Sequence, residues 1–197
     1  MKEEEPKKTL LEEYVELSKH SLIKVQFSCG GISTGIDEPE DIPIVPESIS
    51  LEIPISYKLA EEDNVEEILL LLKTDNLPVS DLGVGTRIFL VALSERKTVG
   101  CVAVEIFGTE GLLRSLAVNK DFRGKGIGQK LVAEAEAWSR DNGLKNLYLL
   151  TTTAAGFFPK ISWHNSERNS VPENIATSSE FTSVCPATAV CMIKNLD

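Results

Sequence analysis

Histidine is nearly absent from this chain. His20 and His164 are the only two in 197 residues, too few and too isolated for a histidine-based metal centre. Cysteine is sparse as well. Cys29, Cys101, Cys185 and Cys191 are scattered, with no Cys-x-x-Cys pair, which points to buried reduced thiols rather than a metal or redox motif. Long apolar runs are missing too: no stretch approaches the roughly 20 residues that a membrane span requires. Met1 to Lys8 is charged and holds no apolar signal region, so the expected location is cytoplasmic. Positive charge is in deficit. Twenty Lys and Arg stand against 30 Asp and Glu, a formal net charge of -10, and such a surface repels nucleic acid and anionic membranes.

What is present suits one α/β domain with an extension. Apolar residues make up 42% of the chain, enough for a sizeable core and against wholesale disorder. Residues 1–50 read differently from the rest. Pro6 can occupy the first turn of a helix from Lys7 to about Leu22, with Leu10, Leu11, Tyr14, Val15 and Leu17 in an approximate stripe. A short strand over Ile23–Ser28 follows, broken by Cys29-Gly30-Gly31. Asp37 to Pro46 is acidic, holds three prolines and reads as a linker. A docking helix, a dimer arm and a partly ordered tail all remain open for this extension.

From residue 51 to 197 the pattern is regular. Ile53–Leu59 alternates as a strand. Asn64 stands where it can cap a helix through Leu72, with Val65, Ile68, Leu69 and Leu72 on one face. Arg87–Leu93 and Thr98–Phe107 flank the polar Ser94-Glu95-Arg96-Lys97, a hairpin signal, and Glu110–Val118 is a third strand. A helix is expected from Gly124 to about Asp141. Ile127, Leu131, Ala135 and Trp138 lie at helical spacing, and Gly143 sits just past its end. Leu147–Thr152 reads as a strand, Gly156–Lys160 as a short helix limited by Pro159, and Ala187–Ile193 as a last strand. The expected class is α/β (α+β): a mixed central sheet with helices on its faces.

The chemistry concentrates in Leu116-Ala117-Val118-Asn119-Lys120-Asp121-Phe122-Arg123-Gly124-Lys125-Gly126-Ile127-Gly128. A strand runs into a glycine-rich turn that opens a long amphipathic helix. Free N–H groups at a helix start bind anions, and the macrodipole adds to this. Glycine lets the backbone approach a phosphate closely. Lys120, Arg123, Lys125 and Lys130 gather positive charge on an acidic chain. The P-loop signature Gly-Lys-Ser/Thr is absent, and the third glycine comes one residue early for the dinucleotide fingerprint. A helix entry with no ligand is the plain alternative.

The spacing Arg123-x-x-Gly126-x-Gly128 after Leu116-Ala117-Val118 closely resembles the coenzyme A pyrophosphate motif of the GNAT acetyltransferases. The resemblance runs from about Ile53 to Leu196. Three segments are more narrowly similar to the arsenic-resistance N-acetyltransferases: Leu112 to Val118, Leu147 to Ala154, and Glu180 to Pro186 with Ala189 to Met192.

The resemblance implies an acetyl-CoA-dependent N-acetyltransferase acting on a small-molecule amine, with no metal. A protein or peptide acetyltransferase, or a coenzyme A sensor without turnover, stands beside it. It implies two splayed central strands, with Leu116, Ala117 and Val118 along the pantetheine. Arg123, Gly124, Lys125, Gly126, Ile127 and Gly128 would lie around the pyrophosphate. A homodimer is a family expectation. Phe158 falls where the family often has a proton-donating tyrosine, so the general acid must be sought elsewhere. Tyr148 and Thr152 are candidates by sequence position, with packing as the alternative, and Thr152 also for the acceptor site. Glu105 is a candidate base, or a solvated charge. Arg114, a cation within an apolar strand, either binds the acid group of an amino-acid-like acceptor or closes a structural salt bridge.

Overall fold

The computed structural model describes residues 54–82 and 86–197. The helix, strand and linker expected within the first 50 residues therefore lie outside the described residues. Among the described residues seven strands form one sheet in the order β1-β2-β3-β4-β5-β7-β6. They are β1 (Ile55–Leu59), β2 (Arg87–Ser94), β3 (Lys97–Phe107), β4 (Glu110–Val118), β5 (Asn146–Thr151), β6 (His164–Asn165) and β7 (Val190–Asn195). Neighbours are antiparallel except for the parallel pair β4–β5. This is the expected mixed sheet with helices on its faces.

Among the described residues three α-helices accompany the sheet: α1 (Val65–Thr74), α2 (Ile127–Asp141) and the short α3 (Glu173–Ala176). Helix α1 covers one face, where Ile68, Leu71 and Leu72 meet Phe89, Val91, Cys101 and Ala103. Helix α2 covers the other, where Ile127, Leu131, Val132 and Ala135 meet Leu90, Val102, Val104 and Leu113. Because both faces are covered, β2 and β3 are apolar almost throughout instead of alternating. The β2–β3 hairpin turns at Glu95, whose φ of 57° is left-handed.

Several expectations shift in register. Helix α2 starts at Ile127, three residues later than the pattern suggests, because Gly124 and Gly126 both take φ of +76° and cannot lie in a right-handed helix. Val132 and Ser139 are buried on α2, whereas Trp138 is only half-buried. Asn64 occupies the N-cap position of α1, but its amide does other work. Its Oδ1 accepts from the Glu61 N–H at 2.9 Å, and its Nδ2 donates to Thr98 Oγ1 at 3.4 Å. The connection between β6 and β7, with α3 and a wide turn over Glu180–Val184, carries no clear hydrophobic period and was not expected. Arg168 staples it by donating to the carbonyls of Pro186 and Phe181 at 2.8 and 2.7 Å.

The sheet opens between β4 and β5. Their pairing covers only Glu110↔Asn146, Gly111↔Leu147 and Leu112↔Tyr148. Beyond Leu112, β4 bulges. Ala103 faces Arg114 but Cys101 faces Ala117, and the extra residue is accommodated at Ser115 with φ of 55°. A bulge bends its strand and increases the local twist, so β4 leaves β5 at this point and a fork results.

Candidate active site

A cleft of about 560 Å³ lies at the opened end of β4. Its walls include Leu116 and Val118 from the strand, Arg123, Gly124 and Gly126 of the turn, the first residues of α2, and Phe157. Gly126 is the N-cap of α2 and has no side chain to cap it. The first hydrogen bond of the helix is donated by Lys130 N–H to the Gly126 carbonyl, at 3.0 Å. The N–H groups of Ile127, Gly128 and Gln129 precede it and belong to residues lining the cleft. A Cβ placed on Gly124 would meet nothing within 4 Å, and one on Gly128 would sit 3.7 Å from Val118 and 3.8 Å from Phe157. The missing side chains are thus space in the cleft, and this donor-lined cradle fits a diphosphate.

Of the residues expected around coenzyme A, Leu116, Val118, Arg123, Gly124, Gly126, Ile127 and Gly128 line the cleft. The Ala117 side chain instead packs with Cys101 and Ala103 beneath α1. The Lys125 ammonium sits 5.2 Å from the centre of the Phe122 ring. Arg123 donates from Nε to the Val118 carbonyl at 2.8 Å, and its Nη2 lies 2.5 Å from Asp75 Oδ1.

On the α1 side of the fork lies a buried charge cluster. Glu105 of β3 pairs in register with Leu112, the last residue of β4 joined to β5, and Arg114 follows two residues on. Arg114 donates to both oxygens of Asp81, at 2.7 and 2.9 Å, and to Glu105 at 3.2 Å. Its Nη2 is also 2.8 Å from Glu180 Oε2, an ion contact rather than an aligned hydrogen bond. Arg87 donates to Glu105 at 3.0 Å, and Ser179 donates to Asp81 at 2.7 Å. All five charged residues are buried. Three carboxylates thus face two guanidiniums, and Arg114 Nε is buried without an acceptor.

The electrostatics follow from these contacts. Burial pushes the Asp81 carboxyl up, but the hydrogen bonds from Arg114 and Ser179, with the charges of both arginines, outweigh it and leave the group below its ordinary value. Burial likewise opposes the charge on Arg114, and its carboxylate partners more than reverse that. Cys185, which donates to Glu180 Oε1 at 3.0 Å, is pushed up to about 12 by burial and by that acceptor. It is a poor nucleophile in this setting.

Arg114 and Glu105 therefore come together, joined by Asp81, Arg87 and Glu180, which sequence reasoning missed. Those three come from separate segments. Arg87, a charge opening an apolar strand, and Glu180, at the head of the third segment of narrower resemblance, carried some signal; Asp81 carried none. Tyr148 stands at the fork itself, opposite Leu112. Burial raises its phenol pKa, with Glu110 and Cys191 adding to the shift. Thr152 is exposed, whereas Thr151 is buried and its hydroxyl accepts from the Ala154 N–H at 2.9 Å. Phe158 is buried edge-on between Phe157 and Trp163, with ring centres 5.0 and 5.5 Å away, so of these three rings only Phe157 lines the cleft. Among the described residues no group of three His, Cys, Asp or Glu side chains could hold a metal ion, and no helix is long and apolar enough to cross a membrane.

Comparison with known proteins agrees with this geometry. The family model described as an acetyltransferase (GNAT) domain matches residues 85–163. An uncharacterized N-acetyltransferase of Chlorobaculum tepidum is 33% identical over 115 residues, covering 56% of this chain and 72% of the relative. An amino-acid acetyltransferase of Ectopseudomonas mendocina is 35% identical over 86 residues, 43% of this chain but only 20% of that longer protein. Among solved structures, N-acetylglutamate synthase of Neisseria gonorrhoeae, complexed with coenzyme A and N-acetyl-glutamate, has a similar fold. The TM-score is 0.62 at 19% identity, over 74% of this chain and 36% of that one. A GNAT-family acetyltransferase of Staphylococcus aureus Mu50 gives 0.59 at 17% identity, over 73% of this chain and all of that one. With the forked sheet and the glycine cradle in place, the chain belongs to the GNAT family and is an acetyl-CoA-dependent N-acetyltransferase.

Proposed function

We propose that this enzyme acetylates the amine of a small amino-acid-like molecule. The observation that carries the reading is the buried cluster at the fork. Its three carboxylates outnumber its guanidiniums, while Arg114 Nε keeps a buried proton with no acceptor. A surplus carboxylate suits an ammonium group, and an unpaired guanidinium N–H suits an acid oxygen. An amino acid offers both. The amino-acid acetyltransferase likeness supports the same class, and the resemblance to arsenic-resistance N-acetyltransferases adds arsenical and phosphinate analogues to the candidates.

The residues then divide the labour. The N–H groups opening α2 hold the diphosphate, and the gap between β4 and β5 takes the pantetheine. The acceptor ammonium gives up a proton to water or to the carboxylate cluster, with Glu105 its member on β3. The neutral nitrogen attacks the thioester carbonyl. A C–N bond forms, the nitrogen releases its second proton to water as the tetrahedral intermediate collapses, the C–S bond breaks, and the thiolate leaves. Tyr148, whose phenol is protonated at neutral pH, is the candidate donor of a proton to that thiolate.

The test is thiol release from acetyl-CoA over a panel of free amines. It holds amino acids, phosphinate and arsenical amino-acid analogues, aminoglycosides, polyamines and a lysine-rich peptide. Saturable turnover with the amino-acid class is expected, and turnover confined to the peptide would overturn the reading. Arg114→Lys should raise the acceptor KM while acetyl-CoA binding stays intact; unchanged acceptor kinetics would remove Arg114 from the site.

A further inference from the structure

We propose that Asp75 sets the affinity of the cleft for coenzyme A by competing with the diphosphate for Arg123. The inference rests on the cleft being the coenzyme site. Among its described lining residues, Asp75 and Arg123 are the charged pair, and the rest are neutral. Arg123 does not stand free to meet a ligand. Its Nη2 is held 2.5 Å from Asp75 Oδ1, and its Nε donates to the Val118 carbonyl at 2.8 Å. The cleft's guanidinium is thus neutralised by the cleft's own carboxylate.

The position of Asp75 sharpens the effect. It is the C-cap of α1, where the helix dipole already presents partial negative charge. An aspartate there is unfavourable for the helix, so capping does not account for it. Its side chain is 20% exposed, that of Arg123 48%. Water screens the pair, and the arginine can exchange one anion for another at little cost. The diphosphate, held by the α2 N–H groups, meets a guanidinium whose charge is shared and a carboxylate that repels it. Asp75 is therefore a residue that acts through Arg123 to keep coenzyme A exchangeable.

Calorimetric titration of coenzyme A into the full chain tests this. Asp75→Asn keeps the shape and removes the charge, and its dissociation constant should fall about three- to tenfold, the scale of one screened charge pair. Asp75→Ser should move it in the same direction. The gain should shrink as salt rises. A structural role would not distinguish donors, so the second arm uses S-acetyl-pantetheine, which has no phosphate. Its KM should be the same for wild type and Asp75→Asn. Weaker or unchanged coenzyme A binding by Asp75→Asn overturns the proposal, and so does an equal change in the KM for S-acetyl-pantetheine. Failure of the wild-type chain to bind coenzyme A at all would instead remove the cofactor reading on which the proposal stands.

Discussion

Replacing Arg114 by Met removes the centre of the buried charge cluster while nearly preserving volume. Its guanidinium serves Asp81, Glu105 and Glu180 together. Without it Asp81 and Glu105 share Arg87, and Glu180 loses its ion contact. Breaking a buried ion pair by removing one partner costs about 3–5 kcal/mol, a large part of the roughly 5–15 kcal/mol that holds a domain folded. The dependence on pH is more telling than the size. In the wild type the Asp81 pKa lies below its unfolded value. Its contribution is complete above the unfolded pKa and is lost as pH falls through the folded one. In the variant the Arg114 hydrogen bonds and charge are gone, and burial pushes the Asp81 carboxyl up. The penalty is then greatest at high pH and shrinks as protons bind, by up to about 1.4 kcal/mol per pH unit for each proton taken up. Urea denaturation of both proteins at pH 8, 7, 6 and 5 measures this gap. Adding Glu180→Gln to Arg114→Met should recover part of the loss at pH 8. A gap below about 1 kcal/mol at pH 8, or one constant down to pH 5, would refute the reasoning.

Two further substitutions probe the cleft and the fork. Gly126→Val forces a β-branched residue into φ of +76° at the start of α2. It should lower stability by about 1–2 kcal/mol and weaken coenzyme A binding at least tenfold, read by thermal melting and calorimetry. Tyr148→Phe should lower kcat by about 100-fold, the lower bound of general acid catalysis, with acetyl-CoA KM unchanged and the alkaline limb of the kcat profile lost. An unchanged kcat would return the thiolate's proton to water.

The coenzyme cradle was legible because its parts are contiguous. Val118, Arg123, Gly126 and Gly128 fall within one strand–turn–helix unit, and the donors are backbone groups whose direction follows from the helix itself. The hairpin and the strand Glu110–Val118 were legible for the same reason, since apolar runs bounded by turn residues need only local chain. The start of α2 was misplaced because a glycine's left-handed φ leaves no mark in the hydrophobic period. Arg114 stood out as a charge in an apolar strand, yet the sequence left open whether a ligand or the protein answers it.

Tertiary structure decided that Asp81, 33 residues away, grips Arg114, and that Asp75, 48 residues from Arg123, grips the cleft's guanidinium. It also decided where the sheet forks, because the bulge at Ser115 exists only in relation to the register of β3. Sequence alone determines what a short segment can bind through its own backbone. Which buried charges neutralise one another depends on chain segments meeting in three dimensions, and no local pattern encodes that meeting.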